Sequence, residues 1–467
     1  MSRLPQRFLP PVLIGLLVWF VPPPDEVQLQ AWRLLAIFLA TIAGILAKTL
    51  PLGAMALLGV IASMLTGVLK PDEALAGFGY PVVWLIVSAF FISRGFLVTG
   101  LGLRIAYLFM AAVGKKSLGL AYSMIGVDLV LAPAIPSNTA RCGGVICPIL
   151  QSVAVSFGSR PDGASARRLG AFLIKTSYQG GVVVSGMFLT SMAGNPMAAG
   201  LAAGMGIEID WTTWFLAALV PGLLCLMTGP WILYRIYPPE ITETAGAARM
   251  AKRKLEEMGP LKPSERIMLG TFALLLILWV FGGRLGISSA VAALTGLAIL
   301  LLTGTLRWKD ILGERGAWDA LIWFGVLINL ASHLNSMGLI PWFGDQLAAV
   351  LGEGHWMKSF VLLSLLYFYS HYLFAGNTTH ISSMYAPFLA VAIAVGTPPL
   401  LAALVLGYFS NLFSGMTHYG TGPAPVFFGT GYVEMGDWWK LGGLLSVVNI
   451  LIYFVAGGFW WKVLGIW

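Results

Sequence analysis

The sequence predicts an all-α polytopic membrane protein, and three observations carry that expectation. Of its 467 residues, 58% are hydrophobic and only 10% are charged, against roughly 25% charged in an ordinary soluble domain. The mean hydropathy is +0.84. Mostly apolar stretches of about 20 residues, the length that crosses a hydrocarbon core, follow one another almost from end to end. A soluble chain of this length would have to coat itself with charge, and 28 Lys and Arg with 20 Asp and Glu cannot do so.

The first element is the segment 1–30, MSRLPQRFLPPVLIGLLVWFVPPPDE and its sequel. Its basic start and apolar core are those of a signal peptide, but it lacks a small-residue cleavage site, so a retained first helix is expected. The next unit, 31–236, carries apolar runs near 31–49, 52–69 and 81–99. Two further runs, 118–135 and 143–157, flank the polar string PSNTAR at 136–141, and runs near 169–187, 188–205 and 212–236 complete the unit. A polar linker follows at 237–266, with KRKLEEMGPLKPSER inside it. The last unit, 267–467, has runs near 267–283, 287–304 and 318–339, then 357–375 and 381–395 around AGNTTH at 375–380, then 398–414 and 441–464.

Lys and Arg fall mainly in the short connections, so the net charge of +8 reads as the positive-inside bias of a membrane protein and not as a nucleic-acid footprint. The N-terminus and the linker are expected in the cytoplasm, and the C-terminus outside. No Ser-rich, Arg-rich transit segment stands at the start, which favours the inner membrane of a bacterium over an organelle. Cys142, Cys147 and Cys225 lie in apolar segments without metal-ligand spacing, so neither a metal site nor a cofactor is expected. Trp438, Trp439, Trp460, Trp461 and Trp467 read as an interfacial belt.

The two large units resemble each other. Gly59 and Thr66-Gly67-Val68-Leu69-Lys70 pair with Gly296 and Thr303-Gly304-Thr305-Leu306-Arg307 at a constant offset of 237. After a slip of two, Trp84 pairs with Trp323 and Asn138-Thr139 with Asn377-Thr378, at 239. Ordered matches at nearly constant offset indicate an internal duplication, common among transporters. The expected architecture is two inverted repeats of about five transmembrane helices plus a re-entrant helical hairpin each. With the extra N-terminal helix the total is about 11.

The hairpin tips are where the chemistry concentrates. Prolines precede Ser137-Asn138-Thr139 and glycines follow it, while Gly376 opens Asn377-Thr378-Thr379; both arrangements interrupt a helix. Backbone freed in this way is tolerated at membrane depth only where it is buried in protein or lines a cavity. Helix N-termini with Ser, Asn and Thr side chains suit an anion, and two related tips could hold two carboxylates of one molecule.

The strings PSNTARCGGVICP, SHYLFAGNTTHISSMYAPF and FSGMTHYGTGPAPVFFGTGYV resemble the divalent anion/sodium symporter family, most of all its citrate/succinate antiporter and plastid 2-oxoglutarate/malate translocator branch. The resemblance covers nearly the whole chain. It implies a homodimer with a scaffold domain and a transport domain that moves substrate by an elevator-like motion. By motif, Ser137, Asn138 and Thr139 would contact one carboxylate, and Asn377 and Thr378, with Thr379, another. Gly376 stands where the family usually has Ser, which places one hydroxyl contact in doubt. Sodium-coupled members hold two sodium ions between hairpin backbone and facing broken helices. The matching breaks here are Ser191–Pro196, with Gly194, Asn195 and Pro196, and Thr417–Pro423, with Gly420, Gly422 and Pro423. Thr417 and His418 of the second break are further candidates for substrate contact.

Arg141 and His380 each follow the Asn of their tip by three residues, and an intramembrane cation is a functional candidate. They are expected to stand in for the two sodium ions. Left uncompensated in the empty carrier, their charge would hinder its return and make exchange obligatory. The competing reading pairs Arg141 with Asp128. The function expected is sodium-independent exchange of di- or tricarboxylates (succinate, malate, 2-oxoglutarate, citrate, tartrate), the alternative being a sodium-coupled symporter. No HExxH, GxSxG or paired-carboxylate motif points to an enzyme, and duplicated broken helices disfavour a channel.

Overall fold

The computed structural model describes residues 4–161, 163–351, 356–374 and 376–467, with side chains from Phe8 onward except at 347–351. Met1–Arg3 of the N-terminal segment, Asp162, residues 352–355 and Ala375 of the second tip lie outside the described residues. Among the described residues the chain is helical throughout, with only an isolated bridge between Lys116 and Glu243.

Among the described residues, six helical stretches are long and apolar enough to cross a membrane: Leu29–Leu46, Pro81–Thr99, Trp211–Ile236, Pro263–Leu285, Arg315–Ser336 and Met435–Val463. Shorter apolar helices fill the intervals, among them Phe8–Phe20, Leu52–Leu65, Ser289–Leu302 and Pro399–Gly415. Large apolar side chains such as Leu17, Leu65, Leu302 and Phe459 point outward. This is the reverse of a soluble surface, as expected of a multi-pass membrane protein.

Several elements of the two units correspond. The helix Leu52–Leu65 ends in Thr66-Gly67, and Ser289–Leu302 ends in Thr303-Gly304. Gly67 and Gly304 both have φ 69°, a left-handed conformation that glycine adopts without penalty at a helix end. After each turn an acid caps the next helix: Glu73 accepts from the Lys70 N–H and Asp310 from the Arg307 N–H, both at 2.9 Å.

Each polar string sits at the turn of a hairpin. Ser117–Leu131 descends to residues 132–137, and the chain returns as a π-helix, Thr139–Ile146, that continues into Cys147–Ser156. Trp356–Ser370 is answered by Asn377–His380, a π-helix Ile381–Tyr385 and Ala386–Ala394. A π-turn inside an α-helix is rare and frequently marks a functional site. Each hairpin is followed by a helix pair interrupted by a break. Gly170–Met187 and Gly194–Gly204 flank the first break, and Pro399–Leu412 and Pro423–Phe428 flank the second.

The linker is more than a polar loop. Ala245–Met258 within it is a helix whose Ala247, Ala248 and Ala251 are buried, and it packs along Leu101–Val113. Arg104 on that helix is buried against Glu265, with Nε–Oε1 at 2.7 Å and Nη2–Oε2 at 3.1 Å, and its Nη1 also reaches the Gly259 carbonyl at 2.9 Å. This fork-to-fork pair fixes the end of the linker to the first unit. The aromatic belt needs correction: Trp438 is fully buried and Trp461 is 2% exposed. Trp461 donates to the Ala217 carbonyl at 2.8 Å, so a core partner satisfies the indole that an interface would otherwise have wetted.

Candidate functional site

The two tips meet the two breaks crosswise. Thr139 Oγ1 of the first tip lies where a Cβ on Gly422 of the second break would sit. Asn138 Nδ2 reaches Thr421 Oγ1 at 3.4 Å. Reciprocally, Ile381 beyond the second tip occupies the space above Gly194 of the first break, and Asn377 Nδ2 contacts Met192 Sδ at 3.7 Å. Only glycine permits approaches this close.

Between these contacts lies a narrow cavity of about 10 Å³ lined by Asn138, Cys142, Tyr178, Gly181, Val182, Ser185, Asn377, Asn411, Ser414, Thr421 and Pro423. One asparagine from each tip therefore faces a shared space. Asn377 is anchored: its Oδ1 accepts from Ser414 Oγ at 3.0 Å and its Nδ2 donates to the Ser410 carbonyl at 3.0 Å. Asn138 is half-buried, and among the described residues its side chain makes one long hydrogen bond, to Thr421. A cavity this small takes up a dicarboxylate only if the tips part.

Several expected residues serve the cavity indirectly. Ser137 caps the returning arm, its Oγ accepting from the Ala140 N–H at 3.1 Å, as N-cap serines do. Thr139 and Gly422 set the spacing of tip and break, and Gly194 does so on the other side. Gly376 is extended, with φ 176°. Thr378 is half-buried and does not line the cavity, and Thr379 faces a separate cleft with Lys48 and Leu373. Thr417 is buried beneath Gly420. His418 lies outside the cavity and accepts from the Trp439 indole N–H at 3.2 Å. Asn195 acts through its side chain, donating to the Ser185 and Phe188 carbonyls at 2.7 and 2.8 Å, and Pro196 lies buried one residue further on.

The two expected cations part company. Arg141 is fully buried and ion-paired with Asp128 on the opposite arm of its hairpin, so the charge expected to stand uncompensated is neutralised. Its Nη1 donates to the Ile135 carbonyl at 2.7 Å and the Ser191 carbonyl at 2.9 Å, and its Nη2 to Ser185 Oγ at 3.1 Å. His380 does not mirror this. It sits in an aromatic box of Tyr367, Phe374 and Phe413, with Nε2 against Ser370 Oγ at 2.9 Å. His371, which the motif does not single out, reaches the second break instead. Its Nε2 lies 2.8 Å from the Gly420 carbonyl, which fixes Nε2 as the protonated nitrogen, and its ring stacks on Phe413.

Sequence reasoning gave no site role to Cys142, Tyr178, Gly181, Val182, Ser185, Asn411 or Ser414, although Cys142 and Ser414 fall inside the strings that carry the family resemblance. Tyr178 donates to the Ser414 carbonyl at 2.6 Å. One turn before it lies Lys175, fully buried, donating to the Trp438 carbonyl at 2.9 Å with its ammonium 4.2 Å from the Trp438 ring.

Comparison with known proteins places this architecture. The family model described as the sodium:sulfate symporter transmembrane region matches residues 3–467. YflS of Bacillus subtilis, named as a candidate malate transporter, is 52% identical over 457 residues, covering 98% of this chain and 96% of that one. The spinach dicarboxylate transporter 1 of chloroplasts is 50% identical over 459 residues, covering 98% of this chain and 81% of the relative. The solved structure of the YdaH transporter of Alcanivorax borkumensis superposes with a TM-score of 0.59 at 13% identity, over 87% of this chain and 89% of that one, and so shares the fold. The protein is a multi-pass membrane transporter and not an enzyme, and it belongs to the sodium:sulfate symporter family.

Proposed function

We propose that the protein carries di- and tricarboxylates of the succinate, malate, 2-oxoglutarate, citrate and tartrate class, exchanging one for another without sodium. The observation that carries this reading is the cavity shared by Asn138 of one tip and Asn377 of the other. Two amide-bearing tips face each other across a space that opens as they part, which suits a molecule with a carboxylate at each end. The names of the relatives agree. In this reading 31–236 and 267–467 are inverted repeats joined by a cytoplasmic linker, the N-terminus is cytoplasmic and the C-terminus outside, in a bacterial inner membrane. The hairpins and broken crossings form a transport domain that moves as an elevator against the scaffold of a homodimer.

Sodium independence is favoured by the state of the break carbonyls. Hard cations are held by backbone oxygens in such sites. Here Arg141 donates to the Ser191 carbonyl and His371 to the Gly420 carbonyl, so a side-chain N–H engages an oxygen of each break. Arg141 thus takes a cation's place sterically and as a donor, while Asp128 balances its charge. His371, and not His380, takes the corresponding place at the second break.

Uptake of labelled succinate into proteoliposomes tests this. Internal succinate is expected to accelerate uptake, and an inward sodium gradient to leave it unchanged. Stimulation by sodium without internal acid would establish the symporter instead.

A further inference from the structure

The polar lining of the cavity contains one fully buried acceptor that the described residues leave unmatched. Asn411 is 1% exposed, and among the described residues its Oδ1 has no hydrogen-bond partner. No other residue lining the cavity has a buried side-chain oxygen in that condition.

The orientation of this amide follows from its neighbours. Asn195 donates both Nδ2 hydrogens to carbonyls, those of Ser185 and Phe188, so its Oδ1 faces outward as an acceptor. Asn411 Nδ2 donates to that Oδ1 at 2.8 Å and to the Gly407 carbonyl at 3.3 Å. Turning the Asn411 amide over would set its oxygen against two other acceptors. Two backbone carbonyls therefore dictate, through Asn195, that the atom of Asn411 left for a ligand in the cavity it lines is an oxygen and not an N–H.

A carboxylate oxygen cannot satisfy that atom, because an ionised carboxylate only accepts. A buried acceptor without a donor is costly, and a site built around such an atom discriminates against analogues that lack the matching donor. Resting on the carboxylate-exchange reading above, we infer that Asn411 is a specificity-determining residue. It accepts a hydrogen bond from a hydroxyl on the carbon chain between the carboxylates, so the carrier prefers 2-hydroxy acids such as malate and tartrate to succinate.

Competition against labelled succinate, in proteoliposomes holding the full chain and preloaded with succinate, tests the inference. In the wild-type protein the better enantiomer of malate is expected to compete roughly five- to tenfold more strongly than succinate, the value of one hydrogen bond. 2-Fluorosuccinate, close in size but without an O–H, is expected to compete no better than succinate. In Asn411→Leu, which keeps the bulk and removes the acceptor, the malate-to-succinate ratio falls to near one. Equal competition by malate and succinate in the wild type overturns the inference, as does fluorosuccinate matching malate or a malate advantage that survives in Asn411→Leu. If that variant does not fold, the wild-type panel decides alone. Failure of every dicarboxylate to be taken up would refute the transport reading itself and this inference with it, whereas succinate exchange without hydroxyl preference refutes only the inference.

Discussion

Arg141 and Asp128, thirteen residues apart, form a buried ion pair that joins the two arms of the first hairpin. The remaining donors of Arg141 tie the turn at Ile135 to the break at Ser191. The pair therefore locks a hairpin and a broken helix into one rigid piece while adding no net charge to the interior.

Removing one partner of a buried pair strands the other. Asp128→Asn is expected to lower stability by about 3–5 kcal/mol, read as a lower melting temperature of the detergent-solubilised protein. Asp128→Leu combined with Arg141→Met should recover part of that loss. It should not recover all, because the Ile135 and Ser191 carbonyls lose their donor. A double variant no better than Asp128→Asn would show that the two residues are not coupled.

The two tip asparagines should behave differently when shortened. Asn138→Ala removes a half-buried amide with one long contact, so the melting temperature should hold. Succinate affinity should fall roughly ten- to a hundredfold, the worth of a hydrogen bond to a charged group. Asn377→Ala should lower both, because it also vacates bonds to Ser414 and Ser410. Equal thermal effects in the two variants would contradict this assignment.

Gly422→Ala places a methyl group against Thr139 Oγ1. The variant should melt lower, by roughly the 1–3 kcal/mol typical of overpacking. Thr139→Ala in the same chain should relieve it, since it removes the obstructing atom. Melting curves of the two single variants and the double variant decide the matter; a double variant as unstable as Gly422→Ala would place the strain elsewhere.

Cys142 lines the cavity as a buried free thiol, and Cys147 and Cys225 do not line it. With Cys147 and Cys225 replaced by Ala, maleimide labelling should report the parting of the tips. Saturating succinate should slow that labelling. Labelling indifferent to succinate would separate Cys142 from the transport site.

Much of this site was legible because interrupting a helix inside an apolar run leaves a visible mark. Pro136, Gly143 and Gly144 around Ser137-Asn138-Thr139, and Gly376 before Asn377, announced the tips, and the breaks at 191–196 and 417–423 were visible for the same reason. The pairing of Arg141 with Asp128 was one of two open readings, since sequence proximity does not say which way a guanidinium points. Asn411, Ser414 and Ser185 were missed because a single polar residue in an apolar helix ordinarily reads as interhelical glue. Asn411 and Ser414 stand three apart, on one helix face, just before the second break, and that spacing was the available signal. His380 misled because equal spacing from the Asn of each tip does not guarantee equal surroundings. Around Arg141 the first hairpin supplies an acid and one carbonyl and the first break a second carbonyl, whereas around His380 the second hairpin supplies Ser370 and aromatic rings.

The Asp128–Arg141 pair also bears on how this chain can diverge. A descendant that lost Arg141 alone would keep a stranded carboxylate at the heart of a hairpin, and one that lost Asp128 alone would keep a stranded guanidinium. Each intermediate is penalised, so the two positions should change together or not at all. Among relatives, positions 128 and 141 should read acid with base, or neutral with neutral, and mixed combinations should be scarce. An insertion or deletion between the arms should likewise be rare, because it would pull the two groups out of register.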